Sequence, residues 1–387
     1  MKSIKFYRII GVVLTLFISG CTSFLAPNLH KPTPLTPIKE TQKLIVQWTF
    51  FASKSIDKRL SSSFFPVYHE GSFYTAWPNG RIEVIDALTG HLSAKWFVKT
   101  AELTAAPAID KAILFLGTTD AQIIAWNSNQ KKEIWRSSLS SLILEPPLIV
   151  DDIVIVKTAD GHISGFDVKD GTLKYHNNYV TPNFMIRSQQ SLFLLDKSIF
   201  LLGMPSGYLH IINAKTGYKL LGIPAGTAKG STEFERAVDI INPPIVAQNL
   251  LYMATYLSKV ICFDLKKSQR QWSADISTHQ PIALRESQII VSTEDSIVIA
   301  LDSQTGKEIW RLNDLRYRNI SAPVILDDMI FVFDYAGTAH LIDPNSGQLV
   351  GRRNMGMGSL LSPPQSFGQG ILLQNHYGQL AYIALKK

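Results

Sequence analysis

One spacing recurs along the whole of this chain, and no other feature restricts its fold so tightly. A Pro at position i is followed by Asp or Asn at i+20 in Pro66/Asp86, Pro107/Asn127, Pro147/Asp167, Pro244/Asp264 and Pro323/Asp343, and at i+21 in Pro281/Asp302. A seventh Pro, Pro364, has Ala384 in the acidic slot. The remaining unit is Phe193/Asn213, whose Asp196-Lys197-Ser198-Ile199 matches Asp110-Lys111-Ala112-Ile113. With only 19 Pro in 387 residues, seven of eight slots in register cannot be coincidence. The chain has eight units.

Further marks recur inside each unit. Gly often stands six residues before the acidic slot (Gly80, Gly161, Gly207, Gly337, Gly378) and four after it (Gly90, Gly171, Gly217, Gly306, Gly347). An aromatic follows about eight after it (Trp135, Tyr175, Trp272, Trp310), with Trp96 at ten. Short β-type runs lie between these turn signals, and no segment beyond Gly20 has a helical period. Four short strands in a repeat of ~40–45 residues define a β-propeller blade. The fold expected is therefore all-β, an eight-bladed propeller of four-stranded antiparallel blades. The eighth unit lacks its outer strand, which the N-terminal run Leu44-Ile45-Val46-Gln47-Trp48-Thr49-Phe50 supplies, so the last blade is closed by an N-terminal strand. Recurrence at one slot assigns the Trp residues to wedging between blades. Asp302-Ser303-Gln304-Thr305-Gly306 and its equivalents read as hairpin turns.

The propeller accounts for residues 44–387. Residues 1–20 read as an export signal, with Lys2, Lys5 and Arg8 ahead of an apolar stretch Ile9–Ile18 that is too short to span a bilayer, which takes ~20 residues. Ile18-Ser19-Gly20-Cys21 resembles the lipobox of bacterial lipoproteins, which implies acylation of Cys21; a plain secretory signal with an incidental Cys is the alternative. Several acyl chains anchor stably where one does not. In the lipoprotein rule, Thr22 after the Cys implies the outer membrane, facing the periplasm. Residues 21–43, with Pro27, Pro32, Pro34 and Pro37 and no periodic apolar pattern, read as a lipidated tether. Cys262, in the apolar run Val260–Phe263, reads as a buried small hydrophobe without a disulfide partner.

Several classes of chemistry are excluded. The formal charge of +7 falls to +4 without the leader, and no basic run exceeds a pair, so nucleic acid is not an expected partner. There is no paired-Cys zinc pattern, no His-Glu-x-x-His, no phosphate-binding Gly loop and no Gly-x-Ser-x-Gly. No metal, cofactor or catalytic residue is expected. His210 and His340 hold equivalent positions, but in units too far apart around a ring to share an ion. The units, in the form Ala300-Leu301-Asp302-Ser303-Gln304-Thr305-Gly306-Lys307-Glu308-Ile309-Trp310, resemble the repeat of pyrroloquinoline-quinone-dependent dehydrogenases. That resemblance implies a periplasmic quinoprotein dehydrogenase as the rival reading. The eight-bladed enzymes of that family place a vicinal disulfide against the quinone, and this chain has no adjacent Cys pair. A shared fold carries no activity by itself.

Departures from the repeat are informative. Most connections from the aromatic slot to the next Pro slot take 9 to 13 residues, whereas Tyr175 to Phe193 takes 18 and Leu221 to Pro244 takes 23. These two long connections follow one another in the ring and emerge on one face, as a partner-binding site would. Folding over the propeller channel is the other use for such loops. The first holds Phe184-Met185-Ile186-Arg187; the second runs Gly230-Ser231-Thr232-Glu233-Phe234-Glu235-Arg236-Ala237-Val238-Asp239-Ile240. Apolar residues mixed with Arg and carboxylates suit a protein interface.

The second loop, running into Pro243-Pro244, resembles the corresponding loop of the propeller lipoproteins of the outer-membrane β-barrel assembly machinery. The lipobox, eight units and closing strand extend the likeness over nearly the whole chain. The resemblance implies a non-enzymatic adaptor that docks on the periplasmic domains of the barrel-forming subunit and assists folding and insertion of β-barrel proteins. Carried across by position, Phe184, Ile186 and Arg187 fall on the family's first contact motif, and Asp239 on the first Asp of its second. Ile241 stands where that motif has another Asp, so apolar contact replaces half of the acidic one. Glu233 and Arg236 complete the expected partner-binding set. Nascent outer-membrane proteins are further expected partners, adding strands to exposed blade edges.

Overall fold

In a computed structural model of the chain, the structure describes residues 30–52, 60–179, 190–226, 240, 242–256 and 258–386. Among them, strands form eight four-stranded antiparallel sheets, and each sheet is one unit of the repeat. Blade 1 is Val67–His69, Ser72–Ala76, Arg81–Asp86 and Leu92–Phe97, from the ring axis outward. The short first strands of neighbouring blades touch one another and line the axis. In blade 8 the order is Gln365–Phe367, Gly370–Gln374, Leu380–Leu385 and then Leu44–Phe50, so the N-terminal strand closes the ring. Leu44 pairs with Leu385 and Phe50 with Leu380.

Burial follows position in the blade. The two middle strands are apolar runs with both faces covered, as in Ile289–Val291 and Val298–Leu301. Outer strands are largely exposed, Leu92–Phe97 among them. The core is therefore not central but divided between blades: Ile155 and Ile163 of blade 3, for example, pack on Phe200, Leu202 and Ile212 of blade 4. Cys262 lies in the layer between blades 5 and 6, fully buried, and burial pushes its thiol up to about 11, so it is an inert hydrophobe.

The acidic slot is a turn device. Asp302 Oδ1 accepts hydrogen bonds from Gln304 N at 3.1 Å and from Thr305 N and Oγ1, both at 2.7 Å; Asp86 repeats this with Leu88 and Thr89. Those bonds, first of all from the Thr hydroxyl, hold both carboxyls below the usual carboxylate range.

Each outer strand carries one bulged residue immediately before the aromatic slot: Ile134 precedes Trp135, Gln271 precedes Trp272 and Gln47 precedes Trp48. The bulge turns the next side chain into the gap between blades and leaves its own outside, hence the exposure of Ile134, Leu220 and Ile309. The indole N–H groups of Trp48, Trp135, Trp272 and Trp310 each donate to a main-chain oxygen of the following blade, those of Ala87, Val168, Ser303 and Pro344. Trp96 does not take this slot. Register pairs Ala94 with Val84, as Trp135 pairs with Ala125, so Ala94 occupies the slot in blade 1 and Trp96 packs one pleat further along.

The stretch read as a tether is, from His30 onward, laid along blade 7. Thr41 N and Gln42 N both donate to Val350 O, at 2.9 and 3.0 Å, and Thr33 N donates to Arg316 O at 3.0 Å. Val350 is the bulged residue of the outer strand Leu349–Asn354, so its carbonyl is free to accept. Arg352 and Arg318 donate to Thr36 O and Thr33 O, Leu35 and Ile38 pack on the layer between blades 6 and 7, and His30 stacks on Tyr317 at 4.4 Å.

Candidate functional site

Alternation of strand direction sorts the connections onto two faces. Links between blades and the turns between second and third strands share one face, the loop face; the remaining turns form the opposite, turn face. Both long connections leave the loop face, the first after the outer strand Leu173–Asn178 of blade 3 and the second after Lys219–Pro224 of blade 4.

The first loop is fixed at both roots. At its start, Tyr179 N donates to Gly161 O at 3.1 Å and the ring lies 5.7 Å from His210. Burial, then the Lys219 ammonium, keeps His210 below the usual imidazole range, so it is neutral there. At the returning end, Glu145 reaches over from the link between blades 2 and 3. It accepts from Ser191 N, from Ser191 Oγ at 2.6 Å and from Leu192 N at 3.2 Å. Lys157 Nζ lies 2.7 Å from Ser191 Oγ and 3.5 Å from Glu145, so the buried carboxylate is both hydrogen-bonded and charge-paired.

The second loop starts where Ala225 N and Gly226 N both donate to Gly207 O, and it returns at Ile240. Ile240 is buried among Phe193, Leu209, Ile211 and Ile223 of blade 4. The two returns meet at Gly203. Its N–H donates to Ser191 O at 2.8 Å, and a Cβ on it would lie 2.3 Å from Ile240 O. Only glycine leaves room for both chains.

Beside this junction a cavity of about 450 Å³ opens on the axis, lined by Phe65, Gln190 and Asn242 and by prolines that precede the inner strands, Pro243, Pro281 and Pro323 among them. Its walls are mainly apolar and carry no ionisable side chain among the described residues. No group of three or more His, Cys, Asp or Glu suited to a metal occurs among the described residues. His340, equivalent to His210, is fully buried in blade 7 against Asp334 at 3.2 Å.

The partner-binding residues expected from the sequence, Phe184, Ile186, Arg187, Glu233, Arg236 and Asp239, lie outside the described residues, as do Ile241 and the acylation candidate Cys21. Sequence reasoning missed Glu145, Lys157 and Gly203, which hold the loop roots. One signal was available: Glu145 is a lone carboxylate set in Leu142-Ile143-Leu144-Glu145-Pro146-Pro147, directly ahead of a Pro slot.

An eight-bladed ring of four-stranded blades, with the returning ends of its two longest connections meeting at one glycine, defines a β-propeller of the quinoprotein-like fold. The family described as outer membrane protein assembly factor BamB matches residues 78–312, more than half of the chain. The chain belongs to that family. The assembly factor BamB of Bordetella pertussis is 28% identical over 96% of this chain and 96% of its own length. The crystal structure of BamB from Moraxella catarrhalis superposes with a TM-score of 0.77 at 24% identity, covering 88% of this chain and 99% of that one. A quinohemoprotein alcohol dehydrogenase from Comamonas testosteroni shares the fold, with a TM-score of 0.68 over 91% of this chain and 78% of that one, at only 10% identity. The dehydrogenase likeness is thus one of fold, and the family is one of assembly factors rather than enzymes.

Proposed function

We propose that this chain is a non-enzymatic adaptor of outer-membrane protein assembly. It docks through its two long loops on the periplasmic domains of the central barrel-forming subunit and assists folding and insertion of β-barrel proteins. Acylated Cys21 holds it at the outer membrane, facing the periplasm. The observation that carries the reading is the junction at Gly203, where Ser191 and Ile240 bring the returning ends of both loops together. Two loops whose returning ends share one root are held side by side at their bases, and little ordering entropy is then lost there on binding. Nascent strands are proposed clients of the outer blade edges, which, apart from that of blade 7 covered by residues 33–42, have a strand partner on one side only among the described residues.

The test is photo-crosslinking in intact cells from probes at Arg187 and at Asp239, with Gln348 on the turn face of blade 7 as the control. Capture of the barrel-forming subunit from the first two positions and not from the third is expected. Capture from none, in protein shown to be membrane-bound, would return the loops to a purely structural role.

A further inference from the structure

The clamped segment fixes the position of His30 on the ring. Residues 41 and 42 meet Val350 near the turn face, Thr36 O meets Arg352 halfway along, and Thr33 meets Arg316 and Arg318 in the link between blades 6 and 7, which belongs to the loop face. Followed toward its start, the segment therefore crosses the full height of blade 7 and reaches the loop face, where His30 stacks on Tyr317. Its hold there is firm. Arg318 is buried, its Nε and Nη2 lying 2.8 and 2.7 Å from Asp334 Oδ2, while its Nη1 bonds Thr33 O at 3.0 Å. Gly351 leaves the space through which Gln42 passes, since a Cβ there would lie 2.6 Å from Gln42 O.

We propose that the corner of the loop face between blades 6 and 7 is the surface that this protein turns to a phospholipid bilayer. The inference rests on the acylated Cys21 of the reading above. His30 lies nine positions beyond Cys21, and a fully extended chain covers at most ~3.6 Å per residue, about 32 Å. Presenting the turn face instead would require the chain to double back past strands of about 17–20 Å, consuming more than half of that reach. The corner has interfacial chemistry: Tyr335 is 44% exposed beside Arg318, and Tyr317, Lys31 and Arg316 lie around His30. Aromatic and basic side chains of this kind suit the headgroup layer. Asp295, paired with Arg316 at 3.1 Å, and Asp314 balance the two cations, so the acyl chains, not net charge, hold the corner to lipid. The roots of both long loops lie on that same face, so a partner docked there sits between the ring and the bilayer.

The experiment places a fluorophore on Asn313→Cys, in the blade 6–7 link, or on Asn345→Cys, in the turn-face hairpin of blade 7. Both positions are exposed, and buried Cys262 does not compete for the label. Acylated full-length protein is reconstituted in phosphatidylethanolamine–phosphatidylglycerol vesicles that contain a headgroup nitroxide quencher. Quenching at least twofold greater at position 313 than at 345, unchanged by salt, is expected. Equal or reversed quenching, in protein whose Cys21 is shown by mass spectrometry to be acylated, would overturn the surface and leave the adaptor reading intact. An unmodified Cys21 would overturn the anchor, and the membrane surface with it.

Discussion

At the scale of single residues, the glycine four after each acidic slot and the aromatic of the preceding blade form one unit. That turn position has a positive φ in every blade whose turn recurs, from 51° at Ser268 to 73° at Gly171. Positive φ alone does not demand glycine, since Lys131 and Ser268 adopt it as well. Glycine appears where a ring lies against it: a Cβ at Gly90, Gly171, Gly306 or Gly347 would sit 2.5–2.6 Å from the indole of Trp48, Trp135, Trp272 or Trp310. Lys131 and Ser268 follow blades whose slots hold Ala94 and Leu221, with no ring to accommodate. Gly306→Ala should therefore cost about 2–4 kcal/mol, from the left-handed backbone plus overpacking against Trp272, whereas Lys131→Gly should change stability by no more than about 0.5 kcal/mol. Urea titration of the two variants checks the contrast, and equal losses would refute the pairing. The recurrence of Gly was legible in the sequence; its reason was not, because the ring that requires it belongs to a different repeat.

At the scale of elements, the bulge and the buried pin of blade 7 explain how a proline-rich stretch without strand character is held. Its ligands are Arg318, Arg352 and the Val350 carbonyl, which lie near the other end of the chain and are invisible to any local pattern, so residues 30–43 read as a plain tether. The same gap in sequence hid Glu145, whose partners Ser191 and Leu192 belong to another blade. The pin carries a pH dependence. Burial pushes the Asp334 carboxyl up, but hydrogen bonds from His340, Thr338 N and Arg318 outweigh it and bring the value to about 2. A carboxyl lowered from its usual value stabilises the fold above about pH 4 by about 2 kcal/mol, a contribution lost as pH falls toward 2. His340 is also lowered, chiefly by burial and further by Arg352 and Arg318, against the opposing pull of Asp334. Its neutral form is the folded one, so stability begins to fall once pH drops below the ordinary imidazole value near 6.5. Thermal unfolding should accordingly show a decline between pH 6.5 and 4 that His340→Gln flattens, whereas an unchanged slope in that variant would remove His340 from the account.

At the scale of the whole molecule, the count of eight blades, their strand order and the closing N-terminal strand were all readable, because Pro, Asp and Gly mark each turn at a fixed interval. What the repeat could not convey was which residues root the two loops that break it. Closure can be tested by transfer. Deleting residues 44–50 removes Trp48 from Gly90 and bares the edge of Leu380–Leu385, and the melting temperature should fall by more than about 10 °C with association of the exposed edges. Returning the same strand after Leu385 through a turn of the Asp-x-x-Thr-Gly type should restore a monomer of near-native stability, since Lys386 N already lies 2.8 Å from Lys43 O. Calorimetry and gel filtration of the two variants decide the matter; a permuted chain that stayed unstable would show that the ring needs more than the missing strand. The pairing of first strand with last also sets an order of events in folding. Leu44–Phe50 precedes every blade along the chain, while its partner Leu380–Leu385 follows the other described strands. Seven blades can therefore stack while an apolar outer strand waits unpaired for the edge it belongs to. Closure of the ring is the last step, and it joins the two most distant strands of the propeller.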